Sequence, residues 1–287
     1  NSGLGQETGR AMAARGAHVV LMGRDAAKLA EAAGAIRAGQ PDAQIETITG
    51  DLGALASLAA CGAEARARFA KIDLLINNAG VMACPFEHTA DGFERQFGTN
   101  HLGHFALTAH LWPLIVAGSA KRIVNLSSRA HHMADVDLDD PNFERRAYDP
   151  WVSYGQAKTA NVLFSVELER RYGPSGIHAY AVHPGGIETN LGRHLTEEMR
   201  TALMARVTKS DSGFAWKTIP QGAATSCWAA TAPELAGAGG VYCEDCHVAA
   251  VDNQSSGGGV RAYALDPARA ARLWQISEEL TGISYPV

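Results

Sequence analysis

The stretch YGQAK at 154–158 contains the side chains best suited to acid–base chemistry in this chain. Residues four apart lie on one face of a helix, so Tyr154 and Lys158 would be neighbours there. A lysine ammonium beside a phenol favours the phenolate, and we expect Lys158 to lower the pKa of Tyr154 from about 10. Tyr154 is then a candidate general acid and base. The spacing is common by chance, so it needs support from other motifs.

Other polar motifs follow in order along the chain, each at the end of an apolar run or the start of a helix-like run. They are SGLG (2–5), NNAG (77–80), TNHLGHF (99–105), IVNLSS (123–128) and HPGGIETNL (183–191). A glycine turn that leads into a helix lets backbone N–H groups approach a pyrophosphate. The first motif does not have the GxGxxG spacing, so a plain turn stays an alternative for it when it is taken alone.

The elements that must position these motifs alternate along the chain. Helix-like runs at 6–15, 25–38, 55–69, 93–117 and 151–172 each precede a short strand-like run. This alternation predicts βαβ units and a mostly parallel sheet covered on both faces. With right-handed crossovers, the fold class is α/β, a doubly wound Rossmann-type sheet in a single domain, 1–287.

Composition and charge exclude several classes of protein. The 287 residues are 46% hydrophobic and 19% charged with a net charge of −5, which gives no basic footprint for nucleic acid. No apolar run approaches the ~20 residues of a membrane segment, and no signal peptide is visible. Five cysteines, an odd number, favour a reducing, cytoplasmic location. Cys243 and Cys246 have CxxC spacing, but zinc would need a second ligand pair, so we predict no metal.

Together the motifs resemble the short-chain dehydrogenase/reductase superfamily over nearly the whole chain. FGTNHLGHFALT (97–108), YGQAKTANVLFSVEL (154–168) and QGAAT…GGVYCEDC (221–246) are similar to its retinol-dehydrogenase-like and WW-domain-oxidoreductase-like branch. The resemblance implies an oxidoreductase that interconverts an alcohol and a ketone or aldehyde. Its partner would be a small-molecule substrate.

The resemblance also implies roles for four side chains. Tyr154 exchanges a proton with the substrate oxygen, and Lys158 lowers the pKa of Tyr154 and binds the nicotinamide ribose. Ser128, the second serine of LSS, hydrogen-bonds the reacting oxygen, with Ser127 as its neighbour. Asn100 holds a water that relays the proton.

A cofactor-binding set follows from the same resemblance. Besides Tyr154 and Lys158 it comprises Ser2, Gly3, Leu4, Gly5, Arg24, Asp51, Leu52, Asn77, Ala79, Gly80, Pro184, Gly185, Ile187 and Thr189. We expect NADP(H) rather than NAD(H), because glycine occupies the position where NAD-binding relatives have an acid, and Arg24 follows it. A guanidinium pairs well with a 2′-phosphate. Asp25 is expected to be the N-cap of the next helix.

The beginning of the chain matches only the second half of the family motif TGxxxGxG. We therefore expect this sequence to be a fragment that lacks the first strand, with about 10–20 residues missing. Such a loss would leave two apolar sheet edges. What precedes Asn1 could include an anchor or a signal.

Segment 190–216 is predicted to be a lid over an apolar or bulky substrate, and a C-terminal tail covers 244–287. Leu195, Met199 and Leu203 recur every four residues and would share one helical face. A surface helix packed on the core is the alternative. The further apolar residues of the segment are Leu191, Met204, Val207, Phe214 and Trp216.

Four histidines receive a weaker interpretation. His131 and His132 lie in a stretch that is typical of the retinol-dehydrogenase-like branch and could touch substrate, although adjacent histidines are typical of a solvated loop. Residues 253–260 are expected to form another surface loop. His101 and His104, one helical turn apart, are expected to pack rather than to bind a metal.

Two other functions stay open. A non-catalytic dinucleotide-binding scaffold would be expected to lack one of the four catalytic positions. An epimerase-type or dehydratase-type enzyme would use the same tyrosine and lysine, but its extended relatives have a larger C-terminal substrate domain. Assembly as a homodimer or a homotetramer is expected.

Overall fold

The computed structural model describes residues 2–210, 215–255 and 257–286, and of residues 206–210 only the backbone. The strands are β1 (Val19–Gly23), β2 (Ile45–Thr49), β3 (Leu74–Asn77), β4 (Arg122–Leu126), β5 (His178–His183), β6 (Val241–Glu244) and β7 (His247–Val248). The helices are α1 (Gly3–Ala13), α2 (Ala26–Gly39), α3 (Leu55–Arg68), α4 (Arg95–Phe97), α5 (Gly103–Val116), α6 (Pro150–Tyr172), α7 (Glu197–Ser210), α8 (Ile219–Thr231) and α9 (Pro267–Thr281).

The described strands form two sheets. β1 pairs with β2 in parallel, with Val19 opposite Ile45. β3, β4, β5 and β6 pair in parallel in that order, and β7 adds an antiparallel edge. The alternation of strands and helices and the mostly parallel pairing confirm the α/β Rossmann-type class. The sheet is divided between β1 and β3.

Apolar layers cover both faces of the larger sheet. Successive strand residues point to opposite faces. On one face Ile123 and Ala179 belong to a core with α3, α5 and α6. On the other face Val124, Tyr180 and Val182 pack against α8. This burial on both faces explains why β4 and β5 read as nearly continuous apolar runs.

The predicted C-terminal tail, 244–287, contributes to the core. It contains α9, which packs along α6. Trp274 of α9 is buried and its ring contacts Phe105 and Phe164 edge-on or tilted. No helix in the described part of the chain is both long and apolar enough to cross a bilayer.

A central cavity of about 2520 Å³ lies between the two sheets and extends over the carboxyl ends of β3, β4 and β5. Its lining includes Leu21 and Met22 from β1 and Leu74 and Ile76 from β3, which are the facing edges of the divided sheet. The motifs identified in the sequence follow β3, β4 and β5. Because parallel strands end at one edge of a sheet, these motifs meet at the cavity.

Candidate active site

Helix α6 positions the YGQAK motif. Asp149 caps it by accepting hydrogen bonds from the N–H groups of Trp151 and Val152, each 2.8 Å long, and Pro150 occupies the first turn, where its missing N–H costs nothing. Tyr154 and Lys158 lie on the face that lines the central cavity. Both are buried, and the Lys158 Nζ lies 5.6 Å from the centre of the Tyr154 ring.

The predicted lowering of the Tyr154 pKa is wrong for this structure. Burial raises the pKa of Tyr154 to about 12, although a hydrogen bond with the Ser128 side chain opposes the shift. Burial also lowers the pKa of Lys158 to about 8. The Lys158 ammonium donates to the carbonyl oxygen of Leu126 over 2.9 Å. Desolvation of the phenol therefore outweighs the effect of its hydrogen bond with Ser128.

The two serines that follow β4 have different surroundings. The Ser127 hydroxyl is buried and donates to the carbonyl oxygen of Lys158 over 2.8 Å. The Ser128 side chain hydrogen-bonds with Tyr154 and accepts from the N–H of Ala130 over 3.1 Å, which caps a short 3₁₀ helix, Arg129–His132. Ser128 is thus the serine beside the phenol, and Ser127 ties β4 to α6.

Asn100 lies in the π-helical turn Gly98–Leu102 that joins α4 to α5. Such turns are frequent at functional sites. Its amide is fully buried, donates to the carbonyl oxygen of Val81 over 2.9 Å and accepts from the Val81 N–H over 2.8 Å. A Cβ at Gly80 would lie 2.9 Å from Asn100 Oδ1 and 3.8 Å from Lys158 Nζ. Glycine at 80 therefore lets the chain after β3 approach both side chains.

At other predicted cofactor-binding positions, glycines let the backbone itself line the cavity. Gly3 and Gly5 lie in the first turn of α1, which starts at Gly3 rather than after the motif. Gly3 has φ of +51° and a Cβ there would approach Thr189, while a Cβ at Gly5 would lie 2.7 Å from Asn78 Nδ2. The free backbone N–H groups at the start of α1 can bind a diphosphate. A side chain at Gly3 or Gly5 would fill the space that this diphosphate needs. These residues therefore fit a dinucleotide.

The end of β1 presents Arg24 to the cavity. Its side chain is exposed, and the Asp25 carboxylate beside it accepts from the N–H groups of Ala27 and Lys28 at 3.0 and 3.1 Å. This capping of α2 confirms the interpretation of Asp25. The Arg24 side chain, next to this capped helix start, lines the cavity.

Nearly all of the predicted site residues line the central cavity. Those that do are Ser2, Gly3, Leu4, Gly5, Arg24, Asp51, Leu52, Asn77, Ala79, Gly80, Ser128, Tyr154, Lys158, Pro184, Gly185, Ile187 and Thr189. Asn100 lies behind this lining. Asn77 contributes mainly backbone, because its side chain donates to Thr108 and Asn125 in the core.

Sequence reasoning missed several residues that line the cavity. They include Met82, Met133, Trp151, His183 and Arg261. Met82 lies two residues after NNAG, and His183 precedes PGG, so both could have been found from their place near a motif. Arg261 comes from a distant part of the chain, and only the tertiary structure brings it to the cavity.

The segment expected to form a lid is described as far as Ser210 and again from Ala215. Leu195, Met199 and Leu203 are half-buried, whereas Glu197, Glu198, Thr201 and Ala202 are exposed, so the four-residue period marks one face. Leu191, Leu195, Leu203, Met204 and Trp216 line the cavity. The side chains of Arg206 and Val207, and Phe214 altogether, lie outside the described residues.

The remaining candidate ligands are engaged in packing. His101 Nε2 contacts the Ser277 hydroxyl at 2.8 Å and His104 Nδ1 contacts the Asn100 carbonyl oxygen at 2.9 Å, and both rings are buried. Cys243 is buried in β6, and Cys246 is exposed in the turn to β7. Among the described residues, no group of three or more His, Cys, Asp or Glu side chains could hold a metal ion.

One histidine departs from its interpretation as a loop residue. His131 is fully buried, with a ring centroid 4.7 Å from that of Tyr242, and burial lowers its pKa to about 3. The expected solvated loop is wrong here because residues 257–263 pack over the 3₁₀ helix.

Known proteins are similar to this chain in sequence and in fold. The profile of the family described as short chain dehydrogenase matches residues 1–200. The short-chain dehydrogenase/reductase prx1 of Penicillium roqueforti is 39% identical over 293 residues, 99% of this chain and 83% of that protein. Human retinol dehydrogenase 12 is 38% identical over 285 residues, covering 99% and 85%. A crystal structure of an uncharacterised protein from Mycobacterium paratuberculosis superposes with a TM-score of 0.74 at 35% identity, covering 100% and 92%.

Proposed function

We propose, from the premise that this chain belongs to the short-chain dehydrogenase/reductase family and to its retinol-dehydrogenase-like branch, that it reduces apolar carbonyl compounds with NADPH and can reverse the reaction. Membership makes it an oxidoreductase that interconverts an alcohol and a carbonyl with a nicotinamide cofactor. The observation that carries the proposal is the group formed by half-buried Ser128 with buried Tyr154 and Lys158 beside a glycine-lined cavity.

The proton chemistry follows from the state of Tyr154. A phenol whose pKa is raised to about 12 keeps its proton at neutral pH. It can therefore act as a general acid toward the carbonyl oxygen, while the carbonyl carbon takes the hydride that NADPH supplies when bound. Ser128, hydrogen-bonded with the phenol, orients the same oxygen. In the direction of oxidation the phenolate must form first, so this direction is slower at neutral pH.

Lys158 and Asn100 support this exchange. The pKa of Lys158, lowered to about 8, leaves the ammonium charged below that pH, where it can hold the hydroxyls of a ribose and stabilise a phenolate. Asn100 is held by Val81 on both sides of its amide, and its Oδ1 and the Lys158 Nζ would both lie within 4 Å of a Cβ at Gly80. The two residues thus form the inner end of a proton path from Tyr154.

The preference for NADP(H) over NAD(H) rests on Arg24. The Asp25 carboxylate is used in capping α2, and Arg24 is the exposed charge at the end of β1. A guanidinium forms a bidentate pair with a 2′-phosphate. We expect Arg24→Ala to lower kcat/KM for NADPH about tenfold and to leave that for NADH nearly unchanged. Arg272→Ala, an exposed arginine of α9, is the matched control. Equal kcat/KM values for the two cofactors in the wild type would contradict the preference.

An apolar or bulky substrate is supported by the rest of the lining. Met82, Met133, Trp151, Leu195 and Trp216 offer apolar surface near or around the catalytic end of the cavity. Methionine and tryptophan suit large apolar ligands of varied shape. A substrate panel of short and long aldehydes and ketones, followed through NADPH absorbance, tests this class directly.

The experiment that tests the function itself compares Tyr154→Phe with Tyr172→Phe. Tyr172 is a remote tyrosine whose hydroxyl donates to the carbonyl oxygen of Pro286. Loss of a general acid typically costs about 10²–10⁴-fold in rate, with cofactor affinity retained. More than a tenth of the wild-type kcat in Tyr154→Phe would reject the proposed role.

The two alternatives predict different outcomes in the same assay. A scaffold would bind NADPH without turnover in any variant, although the chain has all four expected catalytic residue types. An epimerase or dehydratase would convert substrate without net consumption of NADPH. One alcohol formed per NADPH oxidised supports the oxidoreductase. The homodimer or homotetramer and the cytoplasmic location stay predictions.

A further inference from the structure

The turn that carries Ser128 is held by a buried histidine that the proposed chemistry does not use. The carbonyl oxygen of Ser128 accepts two hydrogen bonds from His131, one from its backbone N–H at 3.0 Å and one from its ring Nδ1 at 2.8 Å. The side chain of the same serine is the one that hydrogen-bonds with Tyr154. His131 therefore acts on the backbone of a residue whose hydroxyl lies at the reacting end of the cavity.

The second nitrogen of the His131 ring has a partner on a distant part of the chain. Its Nε2 accepts from the backbone N–H of Arg261 at 3.2 Å. A carbonyl oxygen can only accept and a backbone N–H can only donate, so these partners require the neutral tautomer with its proton on Nδ1. Burial disfavours a charged ring, which keeps this tautomer.

Residue 261 belongs to a strap, defined here as the described residues of 250–263, that covers the 3₁₀ helix. Arg129 donates to the carbonyl oxygen of Gly257 at 2.8 Å, and His132 Nε2 contacts that of Gly259 at 2.9 Å. The Arg261 guanidinium closes the strap on itself by donating to the carbonyl oxygens of Asp252 and Ser255 at 2.6 and 2.8 Å. The strap is therefore held together by its own hydrogen bonds and can support the 3₁₀ helix that it covers.

The strap also reaches helix α6 through the His131 backbone. The carbonyl oxygen of His131 accepts from the hydroxyls of Tyr263 and Thr159. Thr159 is next to Lys158, so one residue joins the serine turn, the catalytic helix and the strap. Fixing a catalytic side chain requires this kind of support, because a displacement of about 1 Å can cost ~10²-fold in rate.

We infer that His131 is a positioning residue for Ser128, and that its neutral ring transmits the support of the 250–263 strap to the catalytic serine. The inference rests on the proposed function of Ser128 and Tyr154. His131 touches neither substrate nor cofactor in this role. It sets where the Ser128 hydroxyl meets the Tyr154 phenol and the substrate oxygen.

Three substitutions separate the two ring nitrogens. His131→Phe keeps an aromatic ring but removes the two hydrogen bonds of the imidazole nitrogens, to Ser128 and to Arg261. We therefore expect kcat to fall by about 10- to 100-fold with little change in KM. His131→Asn places an amide N–H near the position of Nδ1 and should restore much of kcat, because the bond to Ser128 is kept. His131→Gln places its amide nearer Nε2 and should restore the bond to Arg261 but not kcat.

A double-mutant cycle distinguishes positioning from general stability. In a Ser128→Ala background His131→Phe should cause little further loss of kcat, because its effect passes through the serine hydroxyl. His178→Phe, which removes a half-buried histidine bonded to Glu169 at the far end of β5, is the control for the loss of a histidine contact away from the site. Equal loss of kcat in both backgrounds, or equal rescue by Asn and Gln, would overturn the inference.

A readout without turnover separates this inference from the proposed function. The Ala130 N–H donates to Ser128 Oγ, so its hydrogen exchange reports the serine turn. Exchange should accelerate in His131→Phe and return toward the wild-type rate in His131→Asn but not in His131→Gln. Unchanged exchange in His131→Phe would reject the positioning role even if Tyr154→Phe behaves as proposed. If the wild type shows no turnover, the proposed function fails while the exchange pattern still decides whether His131 holds the turn.

Discussion

The central cavity has two walls of different character. The inner wall carries half-buried Ser128 and buried Tyr154 and Lys158. Lys158 is bonded to Leu126 of β4, and Ser128 is connected to the strap through His131. The outer wall, residues 187–205, is exposed or half-buried, and its side-chain bonds are mostly to residues two or three positions away. Elements with few buried contacts open most easily. We therefore expect that the chemistry depends on the inner wall and that the choice of substrate depends on the outer wall.

The largest change in kcat is expected from substitutions of the two adjacent serines that follow β4. Ser128→Ala should lower kcat by about 10²–10³-fold, as loss of a group that binds a developing oxyanion does. Ser127→Ala should lower the melting temperature, because it leaves the Lys158 carbonyl oxygen without this donor, but should keep most of kcat. Steady-state kinetics and thermal melts of both variants test this. A greater loss of kcat in Ser127→Ala would reverse the assignment.

The pH dependence of both directions tests the electrostatics of the inner wall. The phenolate fraction of Tyr154 rises about tenfold per pH unit below its pKa of about 12, so alcohol oxidation should accelerate about 100-fold from pH 6 to pH 8. Above the Lys158 pKa of about 8 the ammonium is lost and oxidation should level off. Reduction uses the phenol and should stay constant to about pH 8 before falling.

Rate profiles of kcat measured in both directions from pH 6 to pH 10 check these expectations. An oxidation rate that is already constant between pH 6 and pH 8 would mean that the phenol pKa is far below the value that burial produces. The inner wall would then lower the pKa of Tyr154, as the sequence predicts.

The same substitution, glycine to alanine, can be made at one position in each wall, which allows the two walls to be compared. Gly80→Ala would bring a Cβ to 2.9 Å from Asn100 Oδ1, and that amide is held by two bonds to Val81 and cannot retreat freely. We expect kcat to fall about 10- to 100-fold and stability to fall by about 1–3 kcal/mol. Gly192→Ala on the outer wall would meet Leu195 at an ordinary 3.4 Å and should be neutral in both measurements. Similar losses for the two variants would break the distinction between the walls.

The smallest effect is expected on the outer wall itself. The double change Met199→Ser, Leu203→Ser should lower kcat/KM for long apolar carbonyls about tenfold and leave short ones unaffected, since each lost methylene contact is worth ~0.8 kcal/mol. Thr201→Ser, Ala202→Ser on the exposed face of α7 is the matched control. A fall of several degrees in melting temperature without any change in selectivity would identify α7 as a surface helix packed on the core, and not as a lid.

The amino-acid sequence by itself determined the order of strands and helices and the place of each motif. Apolar periodicity and turn residues are local properties, so the bounds of α2, α3 and α6 could be predicted within a few residues, and with them the shared face of Tyr154 and Lys158. The capping role of Asp25 was equally local. The family could be recognised because its motifs have a fixed order along the chain.

Only the tertiary structure decided properties that depend on contacts between distant residues. The pKa of Tyr154 rises because burial by several elements removes water from the phenol, and sequence spacing to Lys158 carries no information about that desolvation. Ser128 rather than Ser127 meets the phenol because the turn after β4 points its hydroxyl there. His131 is buried because residues 257–263, more than a hundred positions away, fold over it. Long-range packing of this kind sets electrostatics and support, which no local pattern encodes.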